Sequence, residues 1–80
     1  MAWPVEGWYP FPPGGWVNWH RLIALARYSS APIRRAVIQA RKEGRLIDLT
    51  FGQATRWVAF SDSGHLLLLA NLPAHLGEET

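Results

Sequence analysis

The stretch SSAPIRRAVIQARKEG, residues 29–44, predicts one short helix with both ends marked in the sequence. Ser29 or Ser30 can cap the first turn, and Pro32 lies where a missing N–H has no helical partner to lose. Gly44 favours the left-handed conformation that ends many helices. At 100° per residue, one apolar stripe suited to packing on a sheet is formed by Ile33, Ala36, Val37 and Ala40.

The opposite side of this predicted helix is basic. It carries Arg34, Arg35, Arg41 and Lys42, with the apolar Ile38 among them. Scattered apolar side chains are normal on protein surfaces, so Ile38 is either an ordinary exposed residue or part of a subunit contact.

Four apolar segments surround the helix and predict strands at residues 20–28, 46–51, 56–60 and 65–71. In the second strand we expect Ile47, Leu49 and Phe51 to face the core, and we expect Gly64 to have positive φ in the turn before the last strand. The last strand contains four consecutive leucines and is apolar on both faces. The helix should cover one face, and a second copy of the chain is the simplest cover for the other. The predicted fold is α+β, with element order β-α-β-β-β.

An aromatic, proline-rich arm precedes this domain. Its prolines exclude a helix or a central strand at residues 10–13 and favour an extended, polyproline-like conformation. So many aromatic side chains should dock, either on the chain's own sheet or on a neighbouring subunit. The functional alternative is a platform for single-stranded bases or for a partner peptide. We take Trp16, Trp19 and Ile38 as the candidate oligomer interface.

Chain length limits the class of protein. Eighty residues form one small domain, which buries only about 60% of its unfolded surface. Since there are no cysteines for disulfides or a cysteine metal site, we expect support from homo-oligomerisation. The predicted division is an arm (1–19), a folded domain (20–73) and a tail (74–80). No long apolar run or signal peptide pattern is present, so we expect a cytoplasmic protein without a membrane partner.

Charge points to a polyanionic partner. The formal net charge is only +2, but residues 20–75 contain all eight cations and three anions, which gives +5. Seven of the eight cations are arginine, whose paired donors suit phosphate oxygens. A solvated basic face is the alternative interpretation, and a ring or stack of copies would favour binding by repeating weak contacts.

The sequence contains no recognisable catalytic or metal site. His20, His65 and His75, together with Asp48 and Asp62, lack the local spacing of a metal-binding motif. A glycine-framed serine elbow and a phosphate cradle are also missing. We therefore expect no enzyme, no metal, no cofactor and no small-molecule substrate. The carboxylate of Asp48 should instead pair with an arginine, the candidates being Arg21, Arg45 and Arg56.

Over residues 14–72 the chain resembles the RemA family of bacterial extracellular-matrix regulators. The densest matching segments are Ser30-Ala31-Pro32-Ile33-Arg34-Arg35, Ala40-Arg41 with Gly44, and Leu46-Ile47-Asp48. The same spacing continues through Thr50, Gly52, Thr55-Arg56, Asp62-Ser63 and His65. This resemblance implies a cytoplasmic DNA-binding transcriptional regulator that assembles into rings and guides DNA along a basic outer surface.

The resemblance also suggests which residues contact DNA. The family has Gly-Arg-Arg-Thr-Arg where this chain has Gly52-Gln53-Ala54-Thr55-Arg56, so the paired arginines of that loop are replaced. The family's other DNA-contacting arginine matches Arg21. The candidate DNA-binding residues are therefore Arg21, Arg56, Arg34 and Arg35. The alternative function is a ring-forming scaffold that binds protein and has lost DNA binding.

Overall fold

The computed structural model describes residues 7–12 and 14–72. They form one helix and six strands: β1 (Trp8–Phe11), β2 (Gly15–Asn18), β3 (Leu22–Arg27), α1 (Ala31–Lys42), β4 (Leu46–Asp48), β5 (Trp57–Ser61) and β6 (Leu66–Leu69). A short 3₁₀ turn, Trp19–Arg21, joins β2 to β3. The predicted α+β class and the order β-α-β-β-β are confirmed from β3 onward, and a hairpin precedes them.

The main sheet has the strand order β3-β5-β6-β4. Strand β5 pairs antiparallel with both β3 and β6, whereas β4 runs parallel to β6. Helix α1 covers one face of this sheet, and the hairpin β1–β2 covers the other. The small domain therefore buries its central strands between two layers of its own chain.

The four leucines of β6 show how both layers are used. Leu66 and Leu68 belong to the helix-side core with Val37, while Leu67 and Leu69 belong to the hairpin-side core with Phe11. Because successive strand residues point to opposite faces, a continuous apolar run suits a strand covered on both sides. The prediction that a second copy of the chain covers this face is wrong, because the chain's own hairpin covers it. The prediction that the arm docks on its own sheet is confirmed for the described residues of the arm.

The described residues of the arm form a hairpin rather than polyproline. Pro10 lies in β1 opposite Trp16, in a two-stranded sheet, and a residue without an N–H is tolerated in an edge strand. Trp19 then packs on the hairpin, with its ring centroid 6.0 Å from those of both Tyr9 and Phe11. Edge-to-face and offset-stacked pairs of this kind add to the stability gained by burial.

Strand β4 is shorter than predicted, and two of its expected core residues are exposed. The strand ends at Asp48, whose side chain accepts hydrogen bonds from Thr50, and Phe51 has positive φ in the turn that follows. Only Leu49 reaches the hairpin-side core, so the predicted inward direction of Ile47 and Phe51 is wrong. A local side chain to backbone bond replaces the continued strand here.

Helix α1 follows its sequence signals closely. Ser30 is the N-cap residue, although its side chain makes no capping bond. After the helix, Gly44 has φ of +74°, and the Arg45 amide donates to the Ala40 carbonyl at 2.8 Å, as at many glycine-terminated helices. The predicted apolar stripe packs on the sheet. Within the described ranges, no helix has the length and apolar character needed to cross a membrane.

Candidate nucleic-acid interface

Arg21, a predicted DNA contact, is paired within the chain. Its Nε donates to both carboxylate oxygens of Asp62 at 2.8 Å, which connects the start of β3 to the β5–β6 turn. This hydrogen bond, reinforced by charge, lowers the pKa of Asp62 and raises the pKa of Arg21. Both side chains are exposed, so the pair adds little stability. The carboxylate of Asp62 nevertheless offsets the positive charge of Arg21 locally.

The other two carboxylates of the described residues also have partners. Glu43 accepts from Gln39 at 2.6 Å and from Arg45 at 2.7 Å, and these bonds lower the pKa of Glu43. Asp48 accepts from the hydroxyl of Thr50 at 2.7 Å and from its amide at 2.9 Å, which lowers the pKa of Asp48. The predicted pairing of Asp48 with an arginine is wrong, because the nearby Thr50 donates both bonds to its carboxylate.

A groove rich in arginine lies at the end of the sheet opposite Arg21, where β3 ends and where α1 and β5 begin. It has a volume of about 630 Å³. We call it the basic groove, and it is lined by Arg27, Tyr28, Ser29, Arg34, Thr55, Arg56 and Trp57. The Tyr28 amide donates to the Arg56 carbonyl at 2.9 Å, so backbone bonding holds two of its walls together.

The three arginines of the basic groove lack an acidic partner among the described residues. Arg27, Arg34 and Arg56 are all exposed, whereas the described carboxylates are held elsewhere. The guanidinium of Arg27 lies over Trp57, with Cζ 4.8 Å from the ring centroid, and this cation–π contact favours one orientation of its side chain. Across residues 7–12 and 14–72, the groove therefore presents three positive charges with no carboxylate paired to them.

The structure divides the predicted DNA-binding residues. Arg34 and Arg56 share the basic groove, whereas Arg35 is exposed on α1 and does not line it. Arg21 lies about 20 Å away, since β3 separates it from the groove at about 3.3 Å per residue. The sequence analysis did not select Arg27. Its position at the C-terminal end of a strand, immediately before a helix, was the signal that could have identified it.

The loop between β4 and β5 carries no cation at the two positions emphasised by the family resemblance. Gln53 and Ala54 are both exposed, and the Gln53 amide donates to the Thr50 carbonyl at 3.1 Å in a local turn. Arg56 follows two residues later and faces the basic groove. Longer, charged side chains at positions 53 and 54 would therefore reach solvent.

The candidate interface residues differ in exposure. Ile38 is 50% exposed and Trp16 is 40% exposed, whereas Trp19 is partly buried against the hairpin-side core. Strand β3 adds apolar surface, since Ile23 is 73% and Leu25 is 37% exposed in the single chain. Exposed apolar residues therefore lie on both the helix and the edge strand.

The described residues contain no group of three or more His, Cys, Asp or Glu side chains placed to hold a metal. One serine–histidine contact does occur, with Ser63 Oγ 2.8 Å from His65 Nδ1, but Ser63 also contacts Ser61 in the same turn. Asp62, the carboxylate of that turn, is bonded to Arg21. This arrangement organises the β5–β6 turn and does not form a nucleophile–base–acid series.

These features define a small α+β protein whose uncompensated surface charge is cationic. The chain matches the RemA-like family, described as extracellular matrix regulatory protein A-like, over residues 13–79, and it belongs to that family.

Curated relatives agree with this assignment, and each is named as a candidate regulatory protein. The chain is 47% identical to one from Cyanothece sp. over 75% of this chain and 66% of the relative. It is 48% identical to one from Synechococcus elongatus over 75% of this chain and 69% of the relative. For one from Dehalococcoides mccartyi the identity is 48%, over 68% and 56% respectively. The chain thus spans between 56% and 69% of these relatives' own lengths.

Proposed function

We propose that this protein is a DNA-binding transcriptional regulator that contacts the duplex backbone through arginines. The observation that supports this proposal is the basic groove, in which Arg27, Arg34 and Arg56 have no acidic partner among the described residues. A guanidinium offers paired donors that match phosphate oxygens, and an unpaired one gives up no existing bond on meeting DNA. The proposal includes a cytoplasmic location and a regulatory rather than an enzymatic role, as the family resemblance implies.

The proposed active form is a homo-oligomer, with a ring as the arrangement that the family resemblance implies. The exposed apolar side chains of Ile23, Leu25 and Ile38 are the surface available for such contacts. Each subunit brings one basic groove, so assembly repeats a weak site several times along one DNA. Affinity then rises through multivalency without any new contact chemistry.

A scaffold that binds protein rather than DNA is the second candidate. Gln53 and Ala54 favour it, because they remove two cations from an exposed loop that the family resemblance assigns to DNA. Under this alternative, the exposed apolar surfaces would still support assembly.

Replacing both Arg34 and Arg56 by alanine should weaken binding to duplex DNA by about tenfold or more at about 50 mM salt, since two phosphate contacts are lost. The slope of log K against log salt should become shallower by up to about 1.8, at about 0.9 for each contact removed. Fluorescence anisotropy with a labelled duplex at several salt concentrations measures both quantities. Arg21→Ala should have a smaller effect, because Asp62 already offsets that charge.

The matched control replaces both Arg41 and Lys42 by alanine, which removes the same two charges from the last turn of α1, about 10 Å along the helix from Arg34. Asp62→Asn provides the opposite test, since it releases Arg21 and should strengthen binding. An equal loss in the groove variant and in this control would contradict a located site. No binding by the parent chain at low salt would favour the scaffold.

A further inference from the structure

The basic groove also has the dimensions and chemistry of a small-ligand site. Its volume of about 630 Å³ lies within the range of about 300–1,000 Å³ that is common for small-molecule pockets. Besides its arginines, the groove offers the aromatic rings of Tyr28 and Trp57 and the hydroxyls of Ser29 and Thr55. Arginines and hydroxyls also contact DNA phosphates, so the feature that adds to phosphate binding is the aromatic surface, on which a base can stack.

The Arg27–Trp57 pair supplies a flat surface. The guanidinium lies over the indole at 4.8 Å from Cζ to the ring centroid, and the Arg27 side chain is exposed. Arginine side chains stack on flat groups, and the exposed Arg27 can offer such a contact beside the indole of Trp57. Nucleobases stack readily on arginine and on aromatic side chains.

Arg34 and Arg56 supply the anion-binding part of the same groove. Arg34 comes from the first turn of α1 and Arg56 immediately precedes β5, so two separate elements bring these guanidiniums to one concavity. Both lack an acidic partner among the described residues. A ligand with adjacent phosphates can accept from both at once, which a single carboxylate cannot do as well.

We propose that the basic groove binds a nucleoside di- or triphosphate. Its base stacks on Arg27 above Trp57, and its phosphates lie between Arg34 and Arg56. This proposal rests on the proposed function, because both use the arginines of the basic groove. The nucleotide is therefore a competitor of duplex DNA for that groove. Such a ligand would act as an effector, which the sequence analysis did not anticipate. The fraction of DNA bound by the protein would then fall as the nucleotide concentration rises.

Calorimetry with the full chain tests this proposal, with ATP as the probe and tripolyphosphate and adenosine as its two halves. At about 50 mM salt, ATP should bind about tenfold or more tightly than tripolyphosphate, because the base adds a stacking contact. Arg27→Lys keeps the charge and removes the planar stack, so it should weaken ATP binding severalfold and leave tripolyphosphate unchanged. Arg34→Ala should weaken both ligands, and Arg41→Ala should weaken neither.

Three results would overturn the nucleotide site: equal affinity for ATP and tripolyphosphate, the same ATP affinity in Arg27→Lys and the parent, or an equal loss in Arg41→Ala. The parallel anisotropy measurement with duplex DNA separates this proposal from the proposed function. DNA binding without ATP binding would contradict only the nucleotide site. ATP binding by a chain that ignores DNA would contradict only the regulator, and ATP displacing DNA supports both.

Discussion

Replacing Gln53 and Ala54 together by arginine should tighten binding to duplex DNA by about tenfold or more at low salt, with a steeper salt slope. Both side chains are exposed in the β4–β5 loop, so the longer residues need no space in the core. Each subunit gains up to two phosphate contacts, which corresponds to a change in slope of up to about −1.8. The gain should be independent of DNA sequence, since phosphate contacts position a protein without reading bases.

Glutamate at the same two positions is the matched control. Glutamate is the same size as Gln53 and longer than Ala54, and it reverses the added charge, so Gln53→Glu with Ala54→Glu should weaken binding below that of the parent. Thermal unfolding should be nearly the same for both double variants, because neither position is buried. If the arginine variant keeps its oligomer and still ignores DNA, the scaffold is the better account.

Phe11→Ala should cost about 3–5 kcal/mol of unfolding free energy, the usual range for a buried phenylalanine. Phe11 is 6% exposed in the hairpin-side core, where it stacks on Trp19. In a domain of this size each kcal/mol lowers Tm by about 4–8 °C, so the loss is large on the scale of the whole stability. Thermal or denaturant unfolding at a fixed protein concentration measures it, since assembly would make Tm depend on concentration.

Phe51→Ala makes the same chemical change at an exposed site. Phe51 is 43% exposed and lies in the turn after β4, so its loss should cost about 1 kcal/mol or less. Equal effects of the two substitutions would contradict the docked hairpin. An unchanged Tm in Phe11→Ala would show that the arm does not contribute to the fold.

The helix was predictable because its signals are local. The stripe that includes Val37 and Ala40, the proline in the first turn and Gly44 after the last are all contained within 16 residues of continuous sequence. The order of the elements along the chain, β-α-β-β-β, also followed from apolar runs separated by turn residues. These features need no knowledge of distant contacts, and the structure confirms them.

The hairpin and the length of β4 depend on longer-range or competing contacts. Pro10 excludes a central strand but not an outer one, and only the apolar face of the main sheet gives the arm a surface to dock on. In β4 the sequence alternates as a strand should, yet Asp48 bonds to Thr50 and the chain turns away. Short polar side chains often compete with strand pairing in this way.

The sequence indicated the chemistry of the candidate site but not which of its residues lie together. Counting charges selected arginines as candidate DNA contacts, but spacing could not show that Arg27, Arg34 and Arg56 line one groove. Nor could it show that Asp62, forty-one positions from Arg21, offsets the arginine that the family resemblance favoured most. Both facts depend on how β3 and β5 pair, which is a property of the folded sheet.

The mass of the purified particle, measured by light scattering with and without duplex DNA, tests the central claim most directly. The proposal predicts an assembly of several 9.0 kDa chains at micromolar concentration, and a complex that gains the mass of the duplex at low salt and releases it at high salt. An assembly whose mass DNA leaves unchanged would contradict the regulator and support the scaffold. A folded 9.0 kDa monomer that leaves DNA unbound would contradict both candidates.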